Sequence, residues 1–309
     1  MGITVQTPGI HTNVYLSKIA VNYAQDQFMW DRLMPPFPVK RESDKFKKYK
    51  KDGYFKGAPK RADGAPAEEA SLSYTWDTYS CYERALKDIV TDRAVANADN
   101  VFNLKADTVK FLTSRIKLGM EIDVMEILTK TDGSGLSSGH YSSPSNKWDD
   151  YTNSDPQEDI RKAKIAISKA TGRLPNVIYM SPEVESHLAA HTKIKELVKY
   201  TSRDALTKGG LPATLWDLTV IVCPAVYNTA EEGLSVSMDY VWSDNVIIAY
   251  VNPADTVTLG RVFVHTKRNM VVHTWRDEER EGEWIRVLCN YDPKIICPDA
   301  GYLLYNVLS

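Results

Sequence analysis

The 309-residue chain is short of cysteine, has no long apolar run and carries no overall excess of positive charge. Each shortage removes a class of protein. The four cysteines, Cys81, Cys223, Cys289 and Cys297, are scattered, with no C-x-x-C pair and none of the density of a small secreted disulfide scaffold, so they read as reduced thiols. No window approaches eighteen consecutive apolar residues, which leaves no candidate transmembrane helix. The first residues, MGITVQTPGIHTNVYLSKIAV, lack the basic start and apolar core of a secretory leader. Gln6 stands where the pattern for acylation of Gly2 asks for Ser or Thr. A protein made and folded in a cytoplasm is expected, with no membrane partner.

Catalytic signatures are equally sparse. There is no G-x-S-x-G elbow, no Walker loop and no G-x-G-x-x-G, and Gly133-Ser134-Gly135 is too short and wrongly placed to hold phosphate. His187 and His191 are four apart on an expected helix, a spacing that could hold a metal. A zinc protease, however, needs Glu directly after the first histidine, and Leu188 is there. Surface or core histidines are the plainer reading. The carboxylates are plentiful but unpaired in sequence as acid and base. No catalytic residue, cofactor or metal is assigned.

What is present is a long periodic helix, a basic arm and many aromatic residues. Over residues 104–130, Leu112, Ile116, Met120, Val124 and Leu128 recur every four residues, which predicts one helix of roughly 40 Å with a single apolar stripe. Before it, residues 40–61 hold ten basic and three acidic side chains, a local charge of +7 that leaves −9 for the rest of a chain of net charge −2. Lys45, Lys47, Lys48, Lys50 and Lys51 interleave with Phe46 and Tyr49, Asp52-Gly53 signals a tight turn, and residues 71–83 alternate with Trp76 on one face. Together these segments read as a long two-stranded arm. An isolated strand pair is marginal in water, so such an arm needs another surface. Its lysines fit three uses: following a phosphate backbone, keeping an exposed edge soluble, or docking on an acidic surface of another copy.

Elsewhere, residues 1–36 read as an arm with a short amphipathic helix over 14–33 that ends before Pro35 and Pro36. Residues 131–150 are rich in Gly and Ser and read as a hinge. Asp155-Pro156-Gln157-Glu158 caps a helix that should stop near Gly172, and Ser181-Pro182-Glu183 opens another that runs to about residue 191. Buried strands are expected at 176–180, 219–223 and 246–251, giving the order helix, strand, helix, strand, strand. From residue 256 the chain reads as strand at 258–264, 270–275 and 284–290. The acidic turn DEEREGE, of net charge −4, includes Asp277, Glu278, Glu279 and Glu281 and lies between the last two. Residues 294–297 and 301–307 read as a returning strand. There is no internal repeat.

Residues 174–201, LPNVIYMSPEVESHLAAHTKIKELVKYT, resemble a segment of tailed-phage major capsid proteins in which a strand leads into a helix and a K-I-K-x-x-x-K-Y stretch. PAVYNTAEEG at 224–233 and DPKIICPDAGYLL at 292–304 resemble later segments of the same proteins. The resemblance implies an α+β chain of the Hong Kong 97 capsid type. It places an N-terminal arm over 1–36, an E-loop hairpin over 37–84 and a peripheral domain over 85–150 with its spine helix at 104–130. An axial domain over 151–254, peripheral strands over 255–290 and a C-terminal return strand over 291–309 complete it.

It also implies a virion protein with no enzymatic step, assembled in a bacterial host cytoplasm into hexamers and pentamers of an icosahedral shell around double-stranded DNA contacted without sequence specificity. The 36 residues before the arm are too few for the scaffolding segment that some relatives carry, so a separate scaffolding protein is expected, with a portal and a decoration protein as further candidate partners. Some relatives crosslink an E-loop lysine to an asparagine on a neighbour. Asn290 is available here, but no motif fixes such a pair. The expected contacts between subunits are Lys45, Lys47, Lys48, Lys50, Lys51 and Trp76 on the arm and Asp277, Glu278, Glu279 and Glu281 on the acidic turn. The alternatives are an encapsulin-like shell around protein cargo, a nucleic-acid-binding protein that uses the basic arm at 40–61, and a hydrolase assembled only in three dimensions.

Overall fold

The computed structural model describes residues 11–12, 28–49, 51, 55, 57–64, 66–67, 69–97, 104–201, 210–230 and 233–309. In chain order, strand β1 (His11–Thr12) is followed by the one-turn helix α1 (Trp30–Leu33) and strands β2 (Pro36–Val39), β3 (Ser43–Tyr49), β4 (Tyr74–Ser80) and β5 (Tyr82–Thr91). Helices α2 (Asp92–Asn97) and α3 (Leu104–Leu128) come next, then β6 (Tyr141–Ser142), α4 (Pro156–Thr171), β7 (Val177–Met180), α5 (Pro182–Ala190) and α6 (Thr192–Thr201). Strands β8 (Thr214–Leu215), β9 (Leu218–Val222), β10 (Val226–Asn228), β11 (Met238–Tyr240) and β12 (Val246–Ala249) precede β13 (Gly260–His265), β14 (Val271–Asp277), β15 (Gly282–Ile295) and β16 (Gly301–Leu304).

Two six-stranded sheets organise these elements. In the first, the order is β1-β14-β15-β13-β2, with β5 pairing antiparallel along β15 from Tyr82 to Thr91. Helix α3 packs on β15 and β5, and its buried stripe, Val109, Leu112, Ile116, Met120, Val124 and Leu128, is the four-residue repeat read in the sequence. Polar staples hold its two ends to the same sheet. Lys105 pairs with Glu283 near one end, while near the other Asp123 accepts from the Tyr291 hydroxyl at 2.7 Å and pairs with Arg84 at 3.2 Å.

The second sheet has the order β6-β16-β12-β7-β9-β8. Its strands β7, β12 and β16 are buried along their whole length. Helices α4 and α5 cover it through Ile160, Ile167, Val184 and Leu188. Helix α4 starts where expected, because the Asp155 side chain accepts from the Glu158 amide at 3.3 Å, and it stops at Gly172, whose φ of 68° favours a residue without a Cβ. Ser181 caps α5 in the same way, accepting from the Val184 amide.

Several segments depart from the sequence reading. The expected helix over 14–33 falls outside the described residues except for the single turn of α1. Residues 84–91, assigned no element, form most of β5, which begins after the arm strand breaks at Cys81; the buried Cys81 amide donates to the Glu42 carbonyl at 2.7 Å. Helix α6 and the hairpin β10–β11 have no counterpart among the expected elements. Strand β15 continues to Ile295 and takes in part of the expected returning strand. Pro298 then turns the chain through a 3-10 turn, and residues 301–304 join the second sheet between β12 and β6.

Candidate assembly surfaces

Strands β3 and β4 pair antiparallel, with Lys47 opposite Trp76 and Phe46 opposite Asp77. Strand periodicity therefore sorts the arm's lysines by parity. Lys45 and Lys47 share an outward face with Tyr74 and Trp76, while Phe46, Lys48 and Tyr79 share the other. The second face is anchored to the body. The Tyr79 and Phe263 rings stack with centroids 4.6 Å apart, Phe46 lies 5.4 Å from the same ring, and the Ser80 amide donates to Asp292 at 2.8 Å. Lys48 pairs with Asp77 at 3.0 Å and donates to the Ile295 carbonyl at 3.3 Å. Lys51 pairs with Asp299 at 2.5 Å.

Lys48 and Lys51 thus already have partners in their own chain. Burial alone would raise the Asp299 carboxyl, but hydrogen bonds from Lys51 and Ser137 outweigh it and hold the group below its ordinary range. Asp77 is held low in the same sense, with burial opposed by Lys48 and the Thr78 amide. Lys50 lies outside the described residues.

On the outward face Lys45, Lys47, Tyr74 and Trp76 are exposed. Trp76 is 55% exposed, and the Lys47 ammonium sits 4.7 Å from the Tyr74 ring centre and 5.4 Å from that of Trp76, with the two rings edge to face at 5.7 Å. Among the described residues Lys45 has no ion-pair partner. The magnitudes rank the contributions. Burying a large aromatic side chain is worth roughly 1.5–3 kcal/mol, whereas an exposed ion pair adds about 0–1 kcal/mol. The rings would set the strength of a contact on this face, and the lysines its direction.

The acidic turn is partly spoken for. The Asp277 carboxylate accepts from the Trp284 indole at 2.9 Å and from the Glu279 and Arg280 amides, and Glu278 pairs with Arg276 at 3.0 Å. Arg276 also holds Asp92 at 2.7 Å, which keeps the Asp92 carboxyl below its usual range. Glu279 and Glu281 are exposed and carry no ion pair among the described residues. Which of the expected contact residues are already engaged within the chain depends on strand parity and on partners as much as 248 positions away.

The two histidines do not form a ligand pair. The Tyr151 hydroxyl meets His187 at 3.0 Å, while His191 is the buried residue that ends α5 and meets Ser154 at 3.1 Å. Among the described residues no cluster of His, Cys, Asp and Glu could hold a metal ion. No helix of the described residues is long and apolar enough to cross a membrane.

One feature missed by the sequence reading ties the molecule together. Glu121 lies fully buried beside the apolar stripe of α3, and its carboxylate takes four hydrogen bonds. The Tyr179 hydroxyl and Trp242 indole each donate to one oxygen at 2.7 Å, and the Met29 and Trp30 amides donate to the other at 3.0 Å. The donors come from three separate parts of the chain, so no local motif announces the site.

With this architecture in hand, known proteins give a consistent answer. No family model matches the chain. It is 24% identical over 310 residues to a protein named major capsid protein from Burkholderia phage BcepMu, covering 94% of this chain and 95% of that one. A crystal structure of a phage-related protein from Bordetella bronchiseptica RB50 superposes with a TM-score of 0.73 at 24% identity, over 96% of this chain and 97% of the other. The capsid structure of cyanophage P-SCSP1u gives a TM-score of 0.61 at 10% identity, over 90% and 88%. An encapsulin complex from Synechococcus elongatus PCC 7942 gives 0.55 at 13%, over 90% and 87%. The fold is that of the Hong Kong 97-type shell proteins. Within that class the resemblance to tailed-phage major capsid proteins, read first from three short segments, extends over nearly the whole chain.

Proposed function

We infer that this chain is the major capsid protein of a tailed phage, with a structural role in an icosahedral head. The observation that carries the inference is correspondence over almost the full length of both chains to a named phage capsid protein. In this reading the hairpin β3–β4 is the E-loop, α3 the spine helix of a peripheral domain built on the first sheet, and the second sheet with α4 and α5 the core of an axial domain. The boundaries at residues 36, 84, 150, 254 and 290 are part of the proposal. The arm's outward face, with Lys45, Lys47 and Trp76, lies against a neighbouring subunit, and Glu279 and Glu281 are its electrostatic counterpart.

The shell assembles from hexamers and pentamers in the host cytoplasm with the help of a separate scaffolding protein. A portal and a decoration protein complete it, and the packaged double-stranded DNA is contacted without sequence readout. An encapsulin-like compartment shares the fold and differs in its contents. Sedimentation and negative-stain electron microscopy of the purified chain, followed by analysis of what particles formed in cells contain, test the reading. Closed shells support it, and a chain that stays monomeric under all conditions overturns it.

A further inference from the structure

We propose that the face of the first sheet turned away from α3 binds phosphate oxygens, through Lys87, Arg286 and His273 set side by side on three neighbouring strands. The site does not depend on the shell reading. Arg286 of β15 is paired in register with His273 of β14 on one side and with Lys87 of β5 on the other. Residues directly opposite one another share a face, and like charges so placed repel. The Lys87–Arg286 pair therefore weakens the fold when no anion lies beside it.

No carboxylate of this face neutralises the row. Glu83 of β5 pairs with Arg268 at 2.8 Å, and Asp277 of β14 accepts from the Trp284 indole at 2.9 Å and from two amides. Lys87 is exposed and Arg286 half-buried, and neither carries an ion pair among the described residues. Hydrogen bonds leave the row open as well. The Arg286 Nε and the His273 Nδ1 are buried and meet no partner among the described residues. A buried donor without an acceptor is costly, and two such nitrogens on adjacent strands point to one shared acceptor.

The next row of the face fixes the cations in place. Trp275 and Trp284 stack across β14 and β15 with ring centres 6.2 Å apart. The Lys87 ammonium lies 4.4 Å from the Trp284 ring centre, and the Arg286 guanidinium 5.7 Å from that of Trp275. Arg280, from the turn, lies 5.2 Å from the Trp284 ring. The indoles thus form a platform that orders long, charged side chains before any ligand arrives.

The donor set suits phosphate better than carboxylate. A carboxylate has two oxygens in one plane and is filled by a single arginine fork, whereas a phosphate presents oxygens in several directions, matching a fork, an ammonium and an imidazole from three strands. A free phosphate ion and the phosphodiester of a nucleic acid offer the same oxygens. Burial and Arg286 hold the His273 imidazole below its ordinary value, with Glu83 of β5 opposing them and Arg268 of the preceding turn adding to them; Thr12 of β1, opposite on the other side, is uncharged. A bound anion offsets the two arginines, so binding takes up a proton.

The test is titration of the full chain, at fixed ionic strength, with inorganic triphosphate, a short DNA duplex and polyglutamate, followed by calorimetry and tryptophan fluorescence. Lys87→Gln with Arg286→Gln is expected to weaken triphosphate binding roughly tenfold or more, without lowering the urea midpoint of the unliganded chain. Arg286→Lys keeps the charge, loses Nε and should weaken binding several-fold, while Lys45→Glu with Lys47→Glu should leave triphosphate binding unchanged. If the Arg286 variants unfold, Lys87→Gln alone, at an exposed position, decides the matter by the same loss. Triphosphate binding that the duplex does not displace assigns the site to a free anion; displacement by the duplex assigns it to a phosphodiester. With sulfate, whose charge is constant in this range, affinity should rise from pH 8 to pH 6 in the wild type and stay flat in His273→Gln. Polyglutamate bound as tightly as triphosphate, Arg286→Lys equal to the wild type, or triphosphate binding untouched by Lys87→Gln overturns the proposal.

Discussion

Glu121 accepts the hydroxyl of Tyr179 at 2.7 Å, joining the middle of the long helix to the centre of the second sheet. Because the same side chain also takes the Trp242 indole and the Met29 and Trp30 amides at the start of α1, four separate segments meet at one buried acceptor. A buried acceptor surrounded by donors is worth most through what its loss leaves unpaired.

Glu121→Gln keeps the shape but turns an NH2 group toward donors. It is expected to cost roughly 2–4 kcal/mol, read as a lower urea midpoint of the unassembled chain at unchanged slope. Tyr179→Phe removes one donor of four and should cost about 1 kcal/mol. A Glu121→Gln cost no larger than that of Tyr179→Phe would show that the network does not hold the segments together.

The buried thiols give a chemical and a pH prediction. Cys81, Cys223 and Cys289 are buried and Cys297 is half-buried, so no more than one thiol should react quickly with an aromatic disulfide reagent, against four in denaturant. Burial pushes Cys223 up to about 12 and Cys289 up to about 11. Burial and the neighbouring Glu121 raise the Tyr179 phenol as well. All three are acids kept neutral by the fold, so above the unfolded thiol pKa of roughly 8.5 the unfolded state binds fewer protons and stability falls as pH rises. At pH 10 Cys223 alone should cost roughly 2 kcal/mol, and Cys223→Ala should flatten that slope in denaturation curves taken from pH 8 to 10.

The Lys51–Asp299 pair ties the lower end of the arm to the body. Lys51→Ala removes an exposed partner worth about 0–1 kcal/mol, so proteinase K should cut between residues 51 and 73 roughly two- to fivefold faster in the unassembled subunit, with no change in melting temperature. The folded Asp299 carboxyl sits below its unfolded value, so its contribution is present above about pH 4 and is lost as pH falls through the folded value. Asp299→Asn should reproduce the neutral-pH behaviour of Lys51→Ala. Unchanged cutting in both variants would remove the pair from the account.

On the outward face, Lys45→Glu with Lys47→Glu should slow assembly several-fold in low salt and leave the subunit folded, and adding Glu279→Lys and Glu281→Lys should restore part of the rate. Screening at 1 M salt, where the Debye length is about 3 Å, should erase the difference between wild type and the double reversal. Light scattering follows all three. Reversal at Lys48 and Lys51 acts differently, since it breaks contacts within the chain.

The features legible in the sequence were those set by local chemistry. The stripe of α3, the Asp155 and Ser181 caps, the Gly172 stop and the alternation around Trp76 all rest on side chains within a few positions of one another, and the structure contains each of them. Glu121 was not legible because it reads as an ordinary charge on a helix flank, and its donors arrive from 58 and 121 positions away. The hairpin β10–β11 escaped because its strands are three residues each and its apolar residues lack a buried partner to give them a period. For the arm, residue type and alternation were visible but not which face turns to the body, and that separates Lys47, which faces water, from Lys48, which faces the body.

The most direct measurement is a cryo-electron microscopy reconstruction of particles assembled from the purified chain. The account predicts a closed icosahedral shell in which the arm face carrying Lys47 and Trp76 is covered by an adjacent subunit at every position. A chain that remains a folded monomer across concentration and salt, or a shell in which Trp76 stays open to solvent, would contradict it.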